Sequence, residues 1–353
     1  MSGQLVSGLA HSPGVWAQAW MRLRRDRVGI FSLCVTLAFM GMILLSALGL
    51  VANSWQVEAG VPFAPPHFVS ASTVSKQAAT VENNAPLMDI AEVDPLAPRY
   101  AEWQERASKV TTIAIDKSDT LFFGADRLGR SVLEKAIKGA QVSIVVGLTA
   151  ALMATLIGTL LGALAGYFGG VIDDLLEWIY NVFTSVPYIL LVFALAALFK
   201  SGPLAKTLGS GIWMIVIILS AVGWTSIYRL VRAEYIKHRS REYVRAAQAI
   251  GATHASRMFV HILPNISHVV LVQLSLHVVS FIKAEVILSF LGFGVPIDMV
   301  SWGTMLSEAQ TELVLGKWWQ LAAATTLMAT FVTAFALLTD AMRDAMDPKL
   351  KQN

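Results

Sequence analysis

Six apolar runs dominate this sequence, and each is long enough to cross a lipid bilayer as a helix. A spanning helix needs about 20 apolar residues. Runs of that length lie near 28–51, 142–168, 179–199, 212–231, 268–290 and 319–341. Only 14% of the residues are charged, which is too few to cover a soluble protein of this size. We therefore predict an all-α membrane protein with about six transmembrane helices.

The distribution of basic residues predicts an orientation. Arg22, Arg24, Arg25 and Arg27 directly precede the first run, and basic residues favour the cytoplasmic side. With the N-terminus inside, residues 52–141, 200–211 and 291–318 lie outside, whereas 169–178, 232–267 and the C-terminus lie inside. The first twenty residues lack a short apolar core with a small-residue cleavage site, and the first run is long enough to span, so we predict a retained helix.

Residues 52–120 are polar and interrupted by six prolines. A loop of this length is usually functional or disordered. Two interpretations stay open: contact with a solute or a delivery protein, and a passive linker.

The cytoplasmic stretch 239–265 has the pattern of two short amphipathic helices. Tyr243, Ala246, Ala247 and Ile250 share one helical face, and Gly251 can end that helix with a positive φ. A second apolar face contains Met258, Phe259 and Ile262, and we expect Pro264 to stop the helix that carries it. Neither bilayer nor a large domain of this chain is available to bury these faces, so we predict a separate soluble partner.

This stretch resembles the EAA loop of ABC importer permeases. The resemblance rests on Glu242-Tyr243-Val244-Arg245-Ala246-Ala247, Gly251 and His261-Ile262-Leu263-Pro264-Asn265. These residues are similar to those of the second, C-type permease of the dipeptide, oligopeptide and nickel branch, with the microcin C type peptide permease as a near variant. Arg245 stands where the motif name has Glu, a change common in this branch. Residues 124–130, 288–296, 301–303 and 343–348 match as well.

The resemblance implies the type I ABC importer permease fold, with one N-terminal helix and a five-helix core, in a bacterial inner membrane. It implies a cytoplasmic N-terminus, a first transmembrane helix, an extracytoplasmic loop region, a permease domain containing the coupling loop 239–265, and a cytoplasmic tail. The corresponding boundaries are 1–27, 28–51, 52–130, 131–345 and 346–353.

The function implied is half of a translocation path for di- or oligopeptides. The residues expected to couple to an ATP-binding subunit are Glu242, Tyr243, Arg245, Ala246, Ala247, Gly251, Ala252, Phe259, Leu263 and Pro264. The implied partners are a second homologous permease, two ATP-binding subunits, an extracytoplasmic solute-binding protein, a peptide or similar small solute, and membrane lipid. ATP and Mg²⁺ are expected on the partner subunits, since this sequence has no phosphate-binding loop of the Gly-x-x-x-x-Gly-Lys-Ser/Thr type.

Lys283 and Glu285 carry the main alternative, because ionised groups within a span are costly and often functional. They are candidates for the solute path, for a structural charge pair, for a lysine that reaches water, or for the coupling charges of an ion-coupled secondary transporter. A membrane-embedded hydrolase would have to use Ser289 and His277.

Four further patterns favour structural interpretations. Asp173, Asp174 and Glu177 suit a helix start better than catalysis. Pro187 predicts a kink, and Gly158, Gly162 and Gly166 predict a close helix contact. His254, His261 and His268 recur every seven residues, but Pro264 interrupts their face. We predict no catalytic, cofactor-binding or metal-binding residue in this chain, no nucleic-acid partner, and no redox role for the single cysteine, Cys34.

Overall fold

The computed structural model of the protein describes residues 20–69, 99–109, 117–201, 211–296 and 298–346. Predictions for the remaining residues lie outside the described part, including those for most of the N-terminus, residues 70–98 of the first loop and the tail beyond residue 346. The described residues are mostly helical, and their only β-structure is a set of isolated bridges between residues 58 and 131. The all-α prediction is confirmed.

Ten α-helices and one π-helix make up the described helical elements. In chain order they are α1 (Arg27–Ala47), α2 (Tyr100–Lys109), α3 (Val132–Phe168), α4 (Gly170–Thr184), α5 (Tyr188–Ser201), α6 (Ile212–Arg239), α7 (Glu242–Ala249), the π-helix Ser256–Ile262, α8 (Leu263–Phe290), α9 (Trp302–Val314) and α10 (Trp319–Met346).

Within the described residues, five helical stretches are long and apolar enough to cross a membrane, and the bent pair α4–α5 brings the number to six if it counts as one span. The predicted number of about six is confirmed. Residues 179–199 are wrong as a single span, because α4 and α5 meet at 85° just before Tyr188. The kink expected from Pro187 lies at that break. Residues 169–178, predicted as a loop, are largely the first half of α4, and the predicted outer loop 291–318 contains α9.

The described residues divide into two units, one from residues up to Ser54 together with those from Glu134 onward, and the other from residues between Trp55 and Leu133. In the second unit, the Asp126 carboxylate accepts hydrogen bonds from the backbone N–H groups of Leu128 and Arg130 and pairs with the Arg130 side chain at 2.7 Å. A Cβ at Gly129 would collide with the Gly60 carbonyl oxygen. Segment 124–130, one of the stretches that carry the family resemblance, therefore forms a tight turn.

In the first unit, a glycine seam holds α3 against α6. We use this name for Gly158, Gly162 and Gly166 with the α6 backbone that they face. A Cβ at these glycines would lie 2.5, 2.6 and 2.5 Å from the carbonyl oxygens of Trp224, Tyr228 and Arg232 respectively. Only a hydrogen fits at these positions, so the predicted close helix contact is confirmed.

Aromatic and aliphatic side chains complete the packing. The N-terminal helix α1 packs along α10, where the Phe39 and Phe331 rings lie 5.3 Å apart. One face of α4 packs against α6 through the ring pairs Tyr180–Tyr228 and Phe183–Trp224. Helix α8 contacts α6, α9 and α10 and thereby links most of the unit.

Candidate functional site

The segment 239–265, which we call the knob, connects α6 to α8. It consists of α7, a turn at Gly251 and the π-helix. Gly251 has φ of 86°, and its N–H donates to the Gln248 carbonyl while the Ala252 N–H donates to the Ala247 carbonyl. These two bonds form a Schellman motif, in which the positive φ at the glycine satisfies the last helix carbonyls. The predicted role of Gly251 as a helix end is confirmed.

The second half of the knob differs from the prediction. Pro264 does not stop a helix: the π-helix continues directly into α8, and Pro264 lies in the first turn of α8. A proline in a helix interior removes one hydrogen bond and crowds the preceding turn. Here the wider π-helical turn precedes the proline, and the Asn265 side-chain amide donates to the His261 carbonyl at 2.6 Å. Residues Ser256–Phe290 therefore form one continuous helical rod of 35 residues.

Much of the knob's apolar side is buried within this chain, which corrects the expectation that only a partner could cover it. Val244, Ala247, Met258 and Ile262 are at most 4% exposed. Val244, Met258 and Ile262 belong to one cluster with Ala163 of α3, Ile227, Val231 and Tyr235 of α6, and Ile266 of α8. The Tyr235 hydroxyl also donates to the buried Met258 carbonyl at 3.0 Å. The knob is thus held firmly on the ends of three helices.

Four other apolar side chains of the knob are exposed. Ile250 is 84% exposed and Val260 64%, and the Phe259 and Tyr243 side chains are also exposed. The Tyr243 hydroxyl lies 2.7 Å from Nδ1 of His238. Partial burial raises the pKa of the Tyr243 phenol, so this group is neutral near pH 7. These four residues form an outward apolar surface that the described part of the chain leaves exposed.

The ten residues predicted to couple to an ATP-binding subunit differ in exposure: most are exposed on the knob, and the others are packed against this chain. Exposed positions are Glu242, Tyr243, Arg245, Ala246, Gly251, Phe259 and Pro264. Ala247 is buried, and Ala252 and Leu263 are half-buried. Ile250 and Val260, the most exposed apolar residues of the knob, were not among the predicted ten. Helical periodicity does not separate the packed face from the outward one when both are apolar, so sequence reasoning missed them.

Four arginines lie in the knob, and two of them contact other residues of this chain. The Arg239 guanidinium donates to the Gly166 carbonyl at 3.2 Å, and the Arg257 guanidinium lies 5.8 Å from the centre of the Tyr167 ring. Arg241 and Arg245 are exposed. These two side chains are the ones placed to meet an acidic surface.

The acidic cluster near the start of α4 forms an ion pair that the sequence did not predict. The Arg232 side chain of α6 donates to both Asp173 oxygens, at 2.5 and 2.8 Å, and lies 3.6 Å from Glu177. The contact lies beside Gly166, at the knob end of the glycine seam. It joins α4 to the helix that carries the knob.

Lys283 and Glu285 lie on different faces of α8. Lys283 is exposed, whereas Glu285 is fully buried and accepts a hydrogen bond from the Ser289 hydroxyl at 2.6 Å. Residues two apart on a helix do not face each other, so the two side chains do not build one site. A role of either residue in a solute path stays a prediction.

His277 and Ser289, the pair considered for hydrolysis, lie three helical turns apart on α8. His277 sits between Thr155 and Ser226, at 3.1 and 2.7 Å, and stacks on Phe281. The Ser289 hydroxyl donates to Glu285. The two side chains therefore belong to separate polar contacts that tie helices together.

Taken together, the fold and the knob define a class: a helical membrane protein with an exposed apolar surface on the knob between two of its helices. Residues 158–352 match the family model described as "Binding-protein-dependent transport system inner membrane component". The match spans more than half of the chain, including the knob, and this protein belongs to that family. It is a permease component, and the family does not favour the ion-coupled alternative.

Curated relatives extend the similarity over nearly the whole chain. The dipeptide transport system permease protein DppC of Bacillus subtilis is 30% identical over 334 residues, covering 95% of this chain and 86% of that protein. The oligopeptide transport system permease protein OppC of Bacillus subtilis is 32% identical over 256 residues, which cover 72% of this chain and 81% of that protein. OppC of Salmonella typhimurium is 38% identical over 67% of this chain and 75% of that protein.

Proposed function

We propose that this protein is one of two permease subunits of an ATP-driven peptide importer. The similarity to permeases named for dipeptide and oligopeptide transport supports a peptide as the solute. A second homologous permease completes the translocation path, and an extracytoplasmic binding protein delivers the peptide. ATP and Mg²⁺ bind to two partner subunits, where ATP hydrolysis takes place. The bias of basic residues supports a cytoplasmic knob and cytoplasmic termini.

The observation that carries the coupling proposal is the exposed apolar surface of a firmly held knob. Ile250 and Val260 would each expose most of their side chains to water in the isolated chain. Exposed apolar residues that cluster on one feature typically mark a protein interface. Because the packed face of the knob is already buried, an ATP-binding subunit would meet the outward face, with Arg241 and Arg245 beside it.

The continuous rod from Ser256 to Phe290 provides the route for coupling. Displacement of the knob by a closing ATP-binding subunit would move one end of this rod. Since the π-helix and α8 form one helical stretch, the displacement would reach residues such as Glu285 and Ser289 at the far end. Interhelical contacts of α8 with α6, α9 and α10 would then rearrange, which is the physical basis of alternating access in this proposal.

The coupling proposal can be tested by purifying the chain with its partners from native membranes. Ile250→Asp places a charge on the knob, and Val314→Asp is the matched control because Val314 is 86% exposed but ends α9, outside the knob. We expect wild type and Val314→Asp to retain ATP-binding subunits and peptide-stimulated ATPase. We expect Ile250→Asp to lose both at unchanged expression. Equal retention by the two variants would contradict docking at the knob.

We also propose that residues 52–120 contact the binding protein. This proposal rests on the length of this loop and its predicted outer location, and residues 70–98 lie outside the described part. Deleting residues 70–95 should weaken delivery of peptide while leaving the basal ATPase of the complex unchanged. Unchanged uptake at limiting binding-protein concentration would remove the support for this contact.

A further inference from the structure

A cavity lies at the far end of α8 from the knob. Its volume is about 360 Å³, within the range of roughly 300–1,000 Å³ that small-molecule pockets occupy. The turn after α8 forms one wall, α5 another and α9 a third. The lining includes Phe199, Lys200, Met214, Met299, Ser307 and Glu308. The predicted orientation places this end at the outer face, where an incoming solute would first meet the permease.

Lys200 supplies the cavity with an exposed cation. Its ammonium donates to the Gly292 carbonyl at 2.6 Å and lies 5.6 Å from the centre of the Phe293 ring. These contacts orient the group at the last turn of α5. No acidic side chain pairs with it among the ion pairs of the described residues. An ammonium has three donor protons, so it can bind a carboxylate while keeping its bond to Gly292.

Glu308 provides a hydrogen-bond acceptor whose negative charge is already offset by a neighbouring lysine. Its Oε2 contacts the ammonium of Lys135, which is only 1% exposed, and accepts from the Gln320 amide at 3.1 Å. Both contacts use the same oxygen. The other oxygen, Oε1, can accept an N–H group at the cavity wall. Because Lys135 offsets the charge of Glu308, the cation left to attract an anion is Lys200.

The wall beside these charges is held by hydrogen bonds. Ser289 lines the cavity, but its hydroxyl donates to the buried Glu285 carboxylate behind it. The Val295 N–H lies 3.4 Å from the same hydroxyl oxygen, which ties the turn after α8 to this pair. Glu285 therefore shapes the wall without reaching the cavity. A preformed wall lowers the ordering cost when a ligand binds.

We infer that this cavity is a solute subsite in which Lys200 binds the terminal carboxylate of a peptide. Glu308 Oε1 accepts a peptide N–H, and Phe199, Met214 and Met299 contact the C-terminal side chain. Lys200 is then a specificity-determining residue for a free carboxyl terminus. The inference rests on the proposed function, because it takes the solute to be a peptide.

The first test measures uptake by the complete transporter in proteoliposomes, with unmodified binding protein at saturation and a free-acid tripeptide as the probe. Lys200→Gln removes the cation, Lys200→Arg retains it, and Lys317→Gln is the matched control because Lys317 also lies over an aromatic ring, at 5.5 Å from Trp319. Because hydrogen bonds to charged groups are among the stronger polar contacts, we expect a roughly tenfold or greater loss of uptake in Lys200→Gln.

The other variants and the ATPase define the outcomes of this test. Lys200→Arg and Lys317→Gln should transport at nearly the wild-type rate, and the binding-protein-stimulated ATPase of Lys200→Gln should persist. Equal uptake by Lys200→Gln and Lys317→Gln would overturn the inference. If the wild-type transporter takes up no peptide at all, the proposed function has failed instead.

A second measurement does not depend on the rate of transport. In a Cys34→Ser background, which removes the one native and exposed thiol, Ser307→Cys places a thiol on the cavity wall. The free-acid tripeptide should slow maleimide labelling of this thiol in the assembled transporter, and the C-terminal amide of the same peptide should protect much less. Equal labelling with and without the free acid would contradict the subsite even if Lys200→Gln assembles poorly.

Discussion

The glycine seam and the knob both depend on glycine, but for different physical reasons. At Gly162 a Cβ would lie 2.6 Å from the Tyr228 carbonyl oxygen, so the position requires the absence of a side chain. At Gly251 a Cβ would meet nothing within 4 Å, but φ is 86°, a conformation that other residues adopt at a cost. The seam therefore determines whether the helices pack, and the knob determines what shape they present to a partner.

The largest effect on the stability of the chain should come from filling the seam. Gly162→Leu would force α3 away from α6, and overpacking of this kind costs about 1–3 kcal/mol or more. We expect a marked fall in the midpoint of thermal unfolding and in the yield of monodisperse protein. Gly41→Leu on α1 is the matched control, because a Cβ there meets nothing within 4 Å. Equal melting of the two variants would show that the seam is not tightly packed.

A smaller effect is expected where α4 meets the knob end of the seam. A double-mutant cycle with Arg232→Met and Asp173→Asn should give a coupling energy of about 1–2 kcal/mol, because two hydrogen bonds join these charged, half-buried groups. The coupling energy would be measured from the unfolding free energies of the four variants in detergent. Additive single changes would mean that the pair does not hold α4 in place.

At the knob itself, Gly251→Ala should lower stability by only about 1 kcal/mol, the cost of a left-handed conformation for a residue with a Cβ. Gly251→Asn should cost less, since asparagine tolerates this region better. The comparison of the two in unfolding and in coupled ATPase separates backbone strain from surface chemistry. Strain predicts that asparagine retains more activity than alanine, and the reverse order would refute the conformational role.

The smallest effect on stability should come from the outward surface. Ile250→Ser and Val260→Ser should change the unfolding free energy by no more than about 0.5 kcal/mol, as expected for exposed positions. The same variants should bind ATP-binding subunits less tightly than wild type in a pull-down titration. Lower stability without weaker binding would mean that Ile250 and Val260 serve in helix packing, as the seam does, and not in docking.

Much of this architecture follows from the sequence alone. Apolar run length determined the number of spans, because a helix must satisfy its own backbone hydrogen bonds within lipid. Local chemistry was also sufficient for the break at Pro187, the helix end at Gly251 and the close contact at the glycine seam. The motif residues of segment 239–265 and the other matching stretches were sufficient to identify the family.

Only the tertiary structure decided which apolar residues of the knob are covered. Val244, Met258 and Ile262 are buried because Ala163 and Ile227 approach them from α3 and α6, far away in the sequence, whereas Ile250 and Val260 meet nothing comparable. The continuation of the knob through Pro264 into α8 and the pairing of Arg232 with Asp173 depend on the same assembly of helices. Periodicity specifies a helix and its faces, but the partner of each face depends on contacts between distant parts of the chain, and no local pattern encodes these.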